Sequence, residues 1–133
     1  SWEVGQQPML HRTVPGGLPN SSPILLAIDG DQVLAVSTDG GVYLLGLDQG
    51  EPRRFEWGAS NISAIALSRD AGLWLSAHRD GVRLWDVATG EELDFLDLTS
   101  SNDMVMALAF TPSGDGFVAG MGRGAILRYA IRD

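Results

Sequence analysis

The sequence predicts an all-β fold, with no helix longer than a turn or two. Glycine accounts for 17 of the 133 residues, and together with Asp, Ser and Pro it separates short apolar runs far more often than a helical protein tolerates. No apolar period of 3.6 residues persists over about 11 residues, the length that would indicate an amphipathic helix. At 44% hydrophobic, the chain has enough apolar side chains for one compact domain.

A repeat organises the apolar runs. Four segments end in an aromatic residue or Leu followed by a short turn, and their equivalent residues, here called the anchor positions, are Trp2, Leu45, Trp85 and Tyr129. The anchor positions lie 43, 40 and 44 residues apart, within the range of about 40–45 residues of a four-stranded propeller blade. The spacing therefore predicts a partial β-propeller of about three four-stranded antiparallel blades.

Each unit contains four strands that differ in polarity. The inner strands are apolar at nearly every position, which predicts burial on both faces; they are residues 24–28, 62–67 and 105–110. The second strands cover residues 33–37, 73–78 and 117–121, and the strands that hold the anchor positions cover 42–47, 82–87 and 126–131. The outer strands mix polar and apolar residues, as expected of a solvent-facing rim; they are residues 9–14, 53–57 and 92–97.

Turns with glycine separate the strands, because glycine readily adopts the positive φ that hairpin turns require. Two of these turns share some features with ligand-binding loops. Residues 29–31 read Asp-Gly-Asp, but the Asp and Gly periodicity of a calcium loop does not continue. Residues 120–124 are rich in glycine, but no Lys follows and no helix is predicted, as a phosphate loop would require. We interpret both segments as turns.

The second repeat carries a recognisable motif. Residues 84–91 read LWDVATGE, which resembles the signature of the WD40-repeat family, and residues 107–114 read ALAFTPSG, which is similar to the inner strand and following turn of that family. The resemblance covers essentially the whole chain. It implies a β-propeller that works as a protein-interaction or scaffold module and senses or recruits a macromolecular partner, with no chemistry of its own and no cofactor.

The other repeats depart from the family pattern. The Trp-Asp pair is replaced by Leu45-Gly46 and by Tyr129-Ala130, the Gly-His dipeptide before the inner strand is absent, and the turn at Asp80-Gly81 is one residue short. We therefore expect the family's buried His, Ser, Asp and Trp hydrogen-bond network to be missing here. The segment 73–76 followed by 80–82 is also similar to repeats of bacterial sensor propellers, which are the alternative at the level of fold.

Three repeats divide the chain at approximately residues 5–47, 48–87 and 88–131. Closed propellers have about four to eight blades, so we expect an apolar face to be bare on both the first and the last blade. The strand at 9–14 has no blade of its own, and the last blade lacks an outer strand. We therefore expect the C-terminal part of a larger propeller, completed by the remaining blades of a parent protein. The alternative is a half-propeller that pairs with a second copy into a six-bladed homodimer.

Composition excludes several functions. The chain has 17 acidic and 9 basic residues and a net charge of −8, so we expect no nucleic acid partner. Cysteine is absent, which excludes disulfides and thiolate chemistry. No apolar run approaches the about 18 residues that cross a bilayer, and we expect no membrane association. All basic residues are Arg, as in GC-rich coding sequences, and we expect a bacterial protein. The absence of cysteine fits both reducing and oxidising compartments, and we expect a cytoplasmic location.

We expect no catalytic or metal-ligating residue. His11 and His78 lie in different repeats, without Cys, Asp or Glu at ligand spacing, and no nucleophile elbow is present. A protein partner would instead contact the loops between outer and inner strands and the hairpin turns. The candidate residues are Trp57, Asn61, Arg79, Asn102, Asp103 and Arg123.

Two alternatives stay open. The propeller could be an enzyme or sensor with a ligand site in its central channel, for which Asn61, Asn102 and Asp103 are the polar residues closest to the starts of the inner strands. Between Asp86 and Asp103 there are six acidic residues and no basic one, which could attract a basic partner. The more ordinary interpretation is that these charges keep an outer strand from pairing with other chains.

Overall fold

The computed structural model describes residues 23–37, 41–47, 53–55, 62–68 and 70–131. Their regular structure is one 3-10 turn (Thr99–Ser101) and the following strands: β1 (Pro23–Asp29), β2 (Gln32–Ser37), β3 (Val42–Gly46), β4 (Arg53–Phe55), β5 (Ala64–Ser68), β6 (Leu73–His78), β7 (Gly81–Asp86), β8 (Glu92–Asp97), β9 (Val105–Phe110), β10 (Gly116–Met121) and β11 (Ile126–Ala130). The all-β prediction is confirmed. The predicted strand at 9–14 lies outside the described residues.

The strands form three antiparallel meanders. The first sheet has the order β1-β2-β3-β4, the second β5-β6-β7-β8, and the third β9-β10-β11. In all three sheets, the anchor position pairs with the second residue of the second strand. The pairs are Leu45 with Val33, Trp85 with Trp74, and Tyr129 with Phe117. The repeat spacing predicted the number of sheets, and the structure shows that the anchor positions also share one register.

Two apolar cores hold the sheets together. The core between the first and second sheets contains Leu34, Val36, Val42, Ile65, Leu67, Trp74 and Trp85. The core between the second and third sheets contains Ala64, Ala66, Leu75, Ala77, Val82, Val105, Phe117, Ala119 and Met121. Because successive side chains of a strand point to opposite faces, β6 supplies Trp74 to one core and Leu75 to the other.

The inner strands β1, β5 and β9 lie next to one another at the centre of the arrangement. All five residues of β5 are buried, as expected for a strand between two neighbouring sheets. The same expectation is wrong for the other two, because Leu26 of β1 is 65% exposed and Met106 of β9 is 58% exposed. Only the second sheet has a neighbour on each face within the described part of the chain.

The faces that point away from the second sheet differ between the first and third sheets. On the third sheet, Ala107, Ala109 and Ile126 are exposed, Ile126 to 79%, so the expected bare face is present. On the first sheet, Ala35, Tyr43 and Leu45 form a buried cluster on the corresponding face. The expectation of a bare apolar face on the first sheet is therefore wrong for β2 and β3; on this face Leu26 and Ile28 of β1 and Arg54 of β4 are exposed.

Candidate interaction surface

Loops from the second and third sheets are tied together at one end of the structure. This loop end consists of the β6–β7 turn (Arg79, Asp80), the segment 98–104 that leads from β8 to β9, and the β10–β11 turn (122–125). The backbone N–H of Leu98 donates to the carbonyl of Asp80 at 2.9 Å, and that of Gly122 donates to the carbonyl of Met104 at 2.8 Å. The segment therefore bridges two hairpins.

Asp103 is the residue that joins the segment to the third sheet. Its Oδ1 accepts a hydrogen bond from the Met104 N–H at 2.8 Å, and its Oδ2 accepts one from the Arg123 N–H at 3.2 Å. A Cβ at Gly122 would lie 3.1 Å from Asp103 Oδ1, so the glycine leaves room for this carboxylate. Asn102, directly before it, has φ 54 and ψ 35 in the left-handed region, which Asn tolerates better than most residues.

The structure thus brings three of the six candidate residues together, namely Asn102, Asp103 and Arg123. Asn102 and Arg123 are exposed and Asp103 is half-buried. Arg79 is exposed on the neighbouring hairpin of the same loop end. Trp57 and Asn61 lie outside the described residues.

A charged group that sequence reasoning missed lies beside Arg79. Arg83 donates to both carboxylate oxygens of Asp80, at 3.1 and 3.2 Å, and its Nε lies 3.0 Å from Glu92 Oε1. Its guanidinium also lies over the ring of Phe95, at 4.6 Å from the centroid. The only signal in the sequence was the short Asp80-Gly81 turn, which places the side chains of Asp80 and Arg83 on the same hairpin.

Hydrogen bonding shifts the pKa of two carboxyl groups at this end. The side-chain hydrogen bond from Arg83 holds the pKa of Asp80 below its usual 3.8, and the same bond raises the pKa of Arg83. The backbone N–H and hydroxyl of Thr99 hold the pKa of Asp97 below its usual value. Both groups are therefore carboxylates at neutral pH.

Acid should weaken the fold through Asp80. Because its pKa in the folded protein is lower than in the unfolded chain, the stabilisation is complete above about pH 3.8 and is lost as the pH falls through the folded value. We expect Asp80→Asn to lower the free energy of unfolding at about pH 6 by about 0.5–1 kcal/mol, the size of an exposed ion pair. At about pH 2 the difference between the variant and the wild type should be smaller, because acid protonates the carboxylate. Urea titrations at both pH values test this, and an equal difference at both would contradict it.

A hydrogen-bonded group is buried inside the second sheet. The indole N–H of Trp85 donates to Ser76 Oγ at 2.9 Å, and Ser76 Oγ lies 2.7 Å from His78 Nε2, in a bond whose direction depends on the tautomer of the imidazole. All three residues are buried. The expectation that the family's buried His, Ser, Asp and Trp network is missing here is therefore wrong for the His, Ser and Trp members. His78 lies two residues after Ser76 on β6, on the same face, so the sheet itself supplies the histidine.

Ser76 and His78 have the spacing of a nucleophile and its base, yet their surroundings give them a role in the core. Ser76 is 0% exposed, and its oxygen already accepts the Trp85 N–H. A substrate could not reach this oxygen without opening the core between the first two sheets.

Removing the central hydroxyl should destabilise the protein. Ser76→Ala deletes the acceptor of the Trp85 N–H and the partner of His78, and we expect a loss of about 1–3 kcal/mol. Ser68→Ala is the matched control, because Ser68 is also buried but its Oγ accepts one long bond of 3.4 Å from the Ala71 N–H. In a Trp85→Phe background, which lacks the indole N–H, Ser76→Ala should cost less. Equal costs in the two backgrounds, measured by urea denaturation, would show that the network is not coupled.

A cavity of about 370 Å³ lies among the three inner strands. Most of the residues that line it are apolar, Leu26, Ile65 and Leu108 among them, but the surface that they expose to it is mostly polar, and its polar residues are Asp29, Ser68 and Thr111. Asn102 and Asp103, the described candidates for a channel site, do not line it. Across the described ranges, no three His, Asp or Glu residues are grouped as a metal site, and no helix has the length and hydropathy to cross a bilayer.

No protein-family model matches the chain. Solved structures do resemble it. The β-propeller domain of Cps50 (Swd1) from Myceliophteria thermophila matches with a TM-score of 0.61 and 20% identity, over 85% of this chain and 41% of that one. The computationally designed protein Ika8 matches with a TM-score of 0.61 and 27% identity, over 80% and 32%. The designed protein Ika4 matches with a TM-score of 0.53 and 19% identity, over 93% and 100%.

The chain therefore spans less than half the length of the Swd1 domain and of Ika8. Its three antiparallel sheets of three or four strands match these structures in fold. The fold is a partial β-propeller.

Proposed function

We propose that the chain is a WD40-like segment that works as a protein-interaction or scaffold module and has no chemistry of its own. The loop end supports this most directly. There, Arg79, Asn102 and Arg123 are exposed on turns that are fixed by backbone hydrogen bonds and by the Asp103 carboxylate. Polar side chains on loops that a rigid sheet holds in place are typical of binding surfaces. Trp57 and Asn61 remain predicted members of the same surface.

The partner at this surface is a protein in our proposal. The net charge of −8 repels phosphate backbones. The loop end holds two exposed arginines, Arg79 and Arg123, together with the carboxylates of Asp80 and Asp103. Such a mixture of charges suits a polar protein surface better than a uniformly charged polymer.

Capture from the native source tests this function. The variant combines Arg79→Ala, Asn102→Gly and Arg123→Ala, in which glycine keeps the left-handed backbone of Asn102 and alanine keeps the N–H that Arg123 donates to Asp103. We expect the bound partner to fall by roughly tenfold or more. Glu91→Ala, in the β7–β8 turn, is the control and should retain the partner. If the loop variant retains every protein that the wild type captures, the loop end is not the binding surface.

We also propose that the repeats at 5–47, 48–87 and 88–131 are the C-terminal part of a larger propeller. The exposed face of the third sheet supports this, because Ile126, Ala107 and Ala109 form an apolar surface with no cover from the described residues. The remaining blades of a parent propeller would cover that face and bury upwards of about 2,000 Å².

A second copy of the chain is the other candidate cover, which would give a six-bladed homodimer. The designed protein Ika4 is matched over its whole length, so this fold can occur in a chain that carries no further blades. Sedimentation of the wild type and of Ile126→Arg decides between them. A homodimer that dissociates in Ile126→Arg would support the second version. A well-folded wild-type particle at 14.2 kDa would contradict both, since it would show that three sheets need no cover.

A further inference from the structure

The third sheet lacks an outer strand among the described residues, and a groove lies where that strand would be. The groove has a volume of about 570 Å³ and runs between β8 of the second sheet and β11 of the third. Leu84, Leu93 and Leu96 line one side, and Tyr129 and Ile131 line the other. Leu93 is 52% exposed, so an apolar occupant would remove a large side chain from water.

The edge of β11 beside the groove offers backbone hydrogen bonds. Met121 N–H donates to the Ala125 carbonyl and Ile131 N–H donates to the Asp115 carbonyl, both at 2.8 Å. In an antiparallel ladder the bonded residues alternate, so Leu127 and Tyr129 also bond to β10. The amides of Ile126, Arg128 and Ala130 therefore point away from β10, toward the place of a fourth strand. Such an edge can pair with another strand.

The groove also carries a negative charge. Asp94 lines it, and no basic residue of the described ranges does. Within this protein, an arginine on an outer strand already reaches the second sheet from its other side: Arg53 of β4 donates to the carbonyls of Val87 and Ala88 at 2.8 and 2.6 Å. A basic side chain directed into the groove from a strand paired with β11 would meet the Asp94 carboxylate, where opposite charges attract.

We propose that the β11 edge and its groove bind an extended peptide of a partner protein by strand addition. The peptide would direct alternate apolar side chains at Leu93, Leu96 and Tyr129, and an arginine or lysine between them at Asp94. Strand addition draws affinity from main-chain hydrogen bonds and specificity from the pockets for alternate side chains. The inference rests on the proposed interaction function and names the class of segment that the partner presents.

The probe is a synthetic peptide of about seven residues, the length of a usual strand, in which threonine alternates with leucine and the central groove-facing residue is arginine. A second peptide has glutamate at that position. Binding to the full chain is followed by fluorescence anisotropy. We expect the arginine peptide to bind at least roughly tenfold more tightly than the glutamate peptide.

Two variants separate the charge from the backbone pairing. Asp94→Arg should reverse the preference, so that the glutamate peptide binds more tightly; Glu91→Arg makes the same change in net charge outside the groove and should leave the preference intact. Arg128→Pro removes an outward N–H without removing a bond to β10, and proline is tolerated at such edge positions. We expect it to weaken both peptides by roughly tenfold, whereas Arg128→Ala, which keeps the N–H, should bind within about twofold of wild type.

The outcomes are distinct from those of the loop-end test. A preference that follows residue 94 and binding that fails only with proline at 128 would support the proposal, whatever the loop variant does. No binding of the arginine peptide to the wild type, or equal binding to Arg128→Pro, would overturn it. Should Arg128→Pro fail to fold, the exchange of preference in Asp94→Arg still decides. If the wild type is a dimer that dissociates in Arg128→Pro, a second copy of the chain occupies the β11 edge, and the proposal of a partner peptide is also overturned.

Discussion

Replacing Trp74 with alanine should lower the free energy of unfolding by about 3–5 kcal/mol, the usual cost of deleting a large aromatic side chain from a core. Trp74 is 0% exposed and packs between the first and second sheets. Its ring stacks on Trp85, with centroids 5.0 Å apart and planes at 11°. Since small domains are stable by about 5–15 kcal/mol in total, this loss would be a large fraction of the stability of the protein.

Trp74→Phe is the control, because phenylalanine keeps an aromatic ring against Trp85 and should cost roughly half as much. Urea denaturation followed by far-ultraviolet circular dichroism measures both variants, because the free energy comes from the transition of each variant between its own folded and unfolded baselines. If alanine and phenylalanine cost the same, the stacked ring is not what stabilises this core.

Gly81→Ala should be the other severe change, with a loss on the order of 3 kcal/mol from backbone strain and steric overlap. Gly81 begins β7 with φ +149, and a Cβ there would lie 1.9 Å from the backbone oxygen of Leu96. The neighbouring strand cannot yield as a flexible side chain would. The pairing of Gly81 with Asp97 would therefore open, and the start of the segment 98–104 would move.

Gly72→Ala separates strain from overlap. Gly72 also has a positive φ, +67, but a Cβ there meets nothing within 4 Å, so only the strain of about 1 kcal/mol remains. Thermal unfolding of the two variants compares them directly. Equal unfolding midpoints for Gly81→Ala and Gly72→Ala would mean that opening the pairing of β7 with β8 at Gly81 costs no free energy. The loop-end partner should also be lost in Gly81→Ala and kept in Gly72→Ala.

The periodic part of the fold could be predicted from the sequence. The distances between Leu45, Trp85 and Tyr129 predicted three meanders, and each anchor position does pair with the second strand of its own sheet. The anchor positions carry the stacked pairs Trp74–Trp85 and Phe117–Tyr129 in two of the sheets. These contacts are close in sequence and follow from the hairpins, so local patterns were sufficient.

Contacts between different turns could not be predicted. Asp103 and Arg123 are 20 residues apart, and nothing in either segment indicates that a carboxylate of one accepts the N–H of the other. The histidine network was missed for a related reason, because the expectation required a Gly-His dipeptide and overlooked a histidine two residues beyond Ser76 on the same strand face. Burial also depends on neighbouring sheets, which is why β5 and β9 differ although both sequences are apolar.

The second sheet shares an apolar core with each of its neighbours, whereas the third sheet shares only one with the rest of the described chain. Stability in stacked repeats is approximately a sum of interfaces between neighbours, so local opening should cost least at the end of the stack. Amide hydrogens of β9–β11 should therefore exchange with solvent sooner than those of β5–β7. The same order applies in refolding, where the middle sheet would form the template on which the end sheet docks. A ligand on the outer edge of the end sheet would then slow exchange most in the part of the protein that is least protected without it.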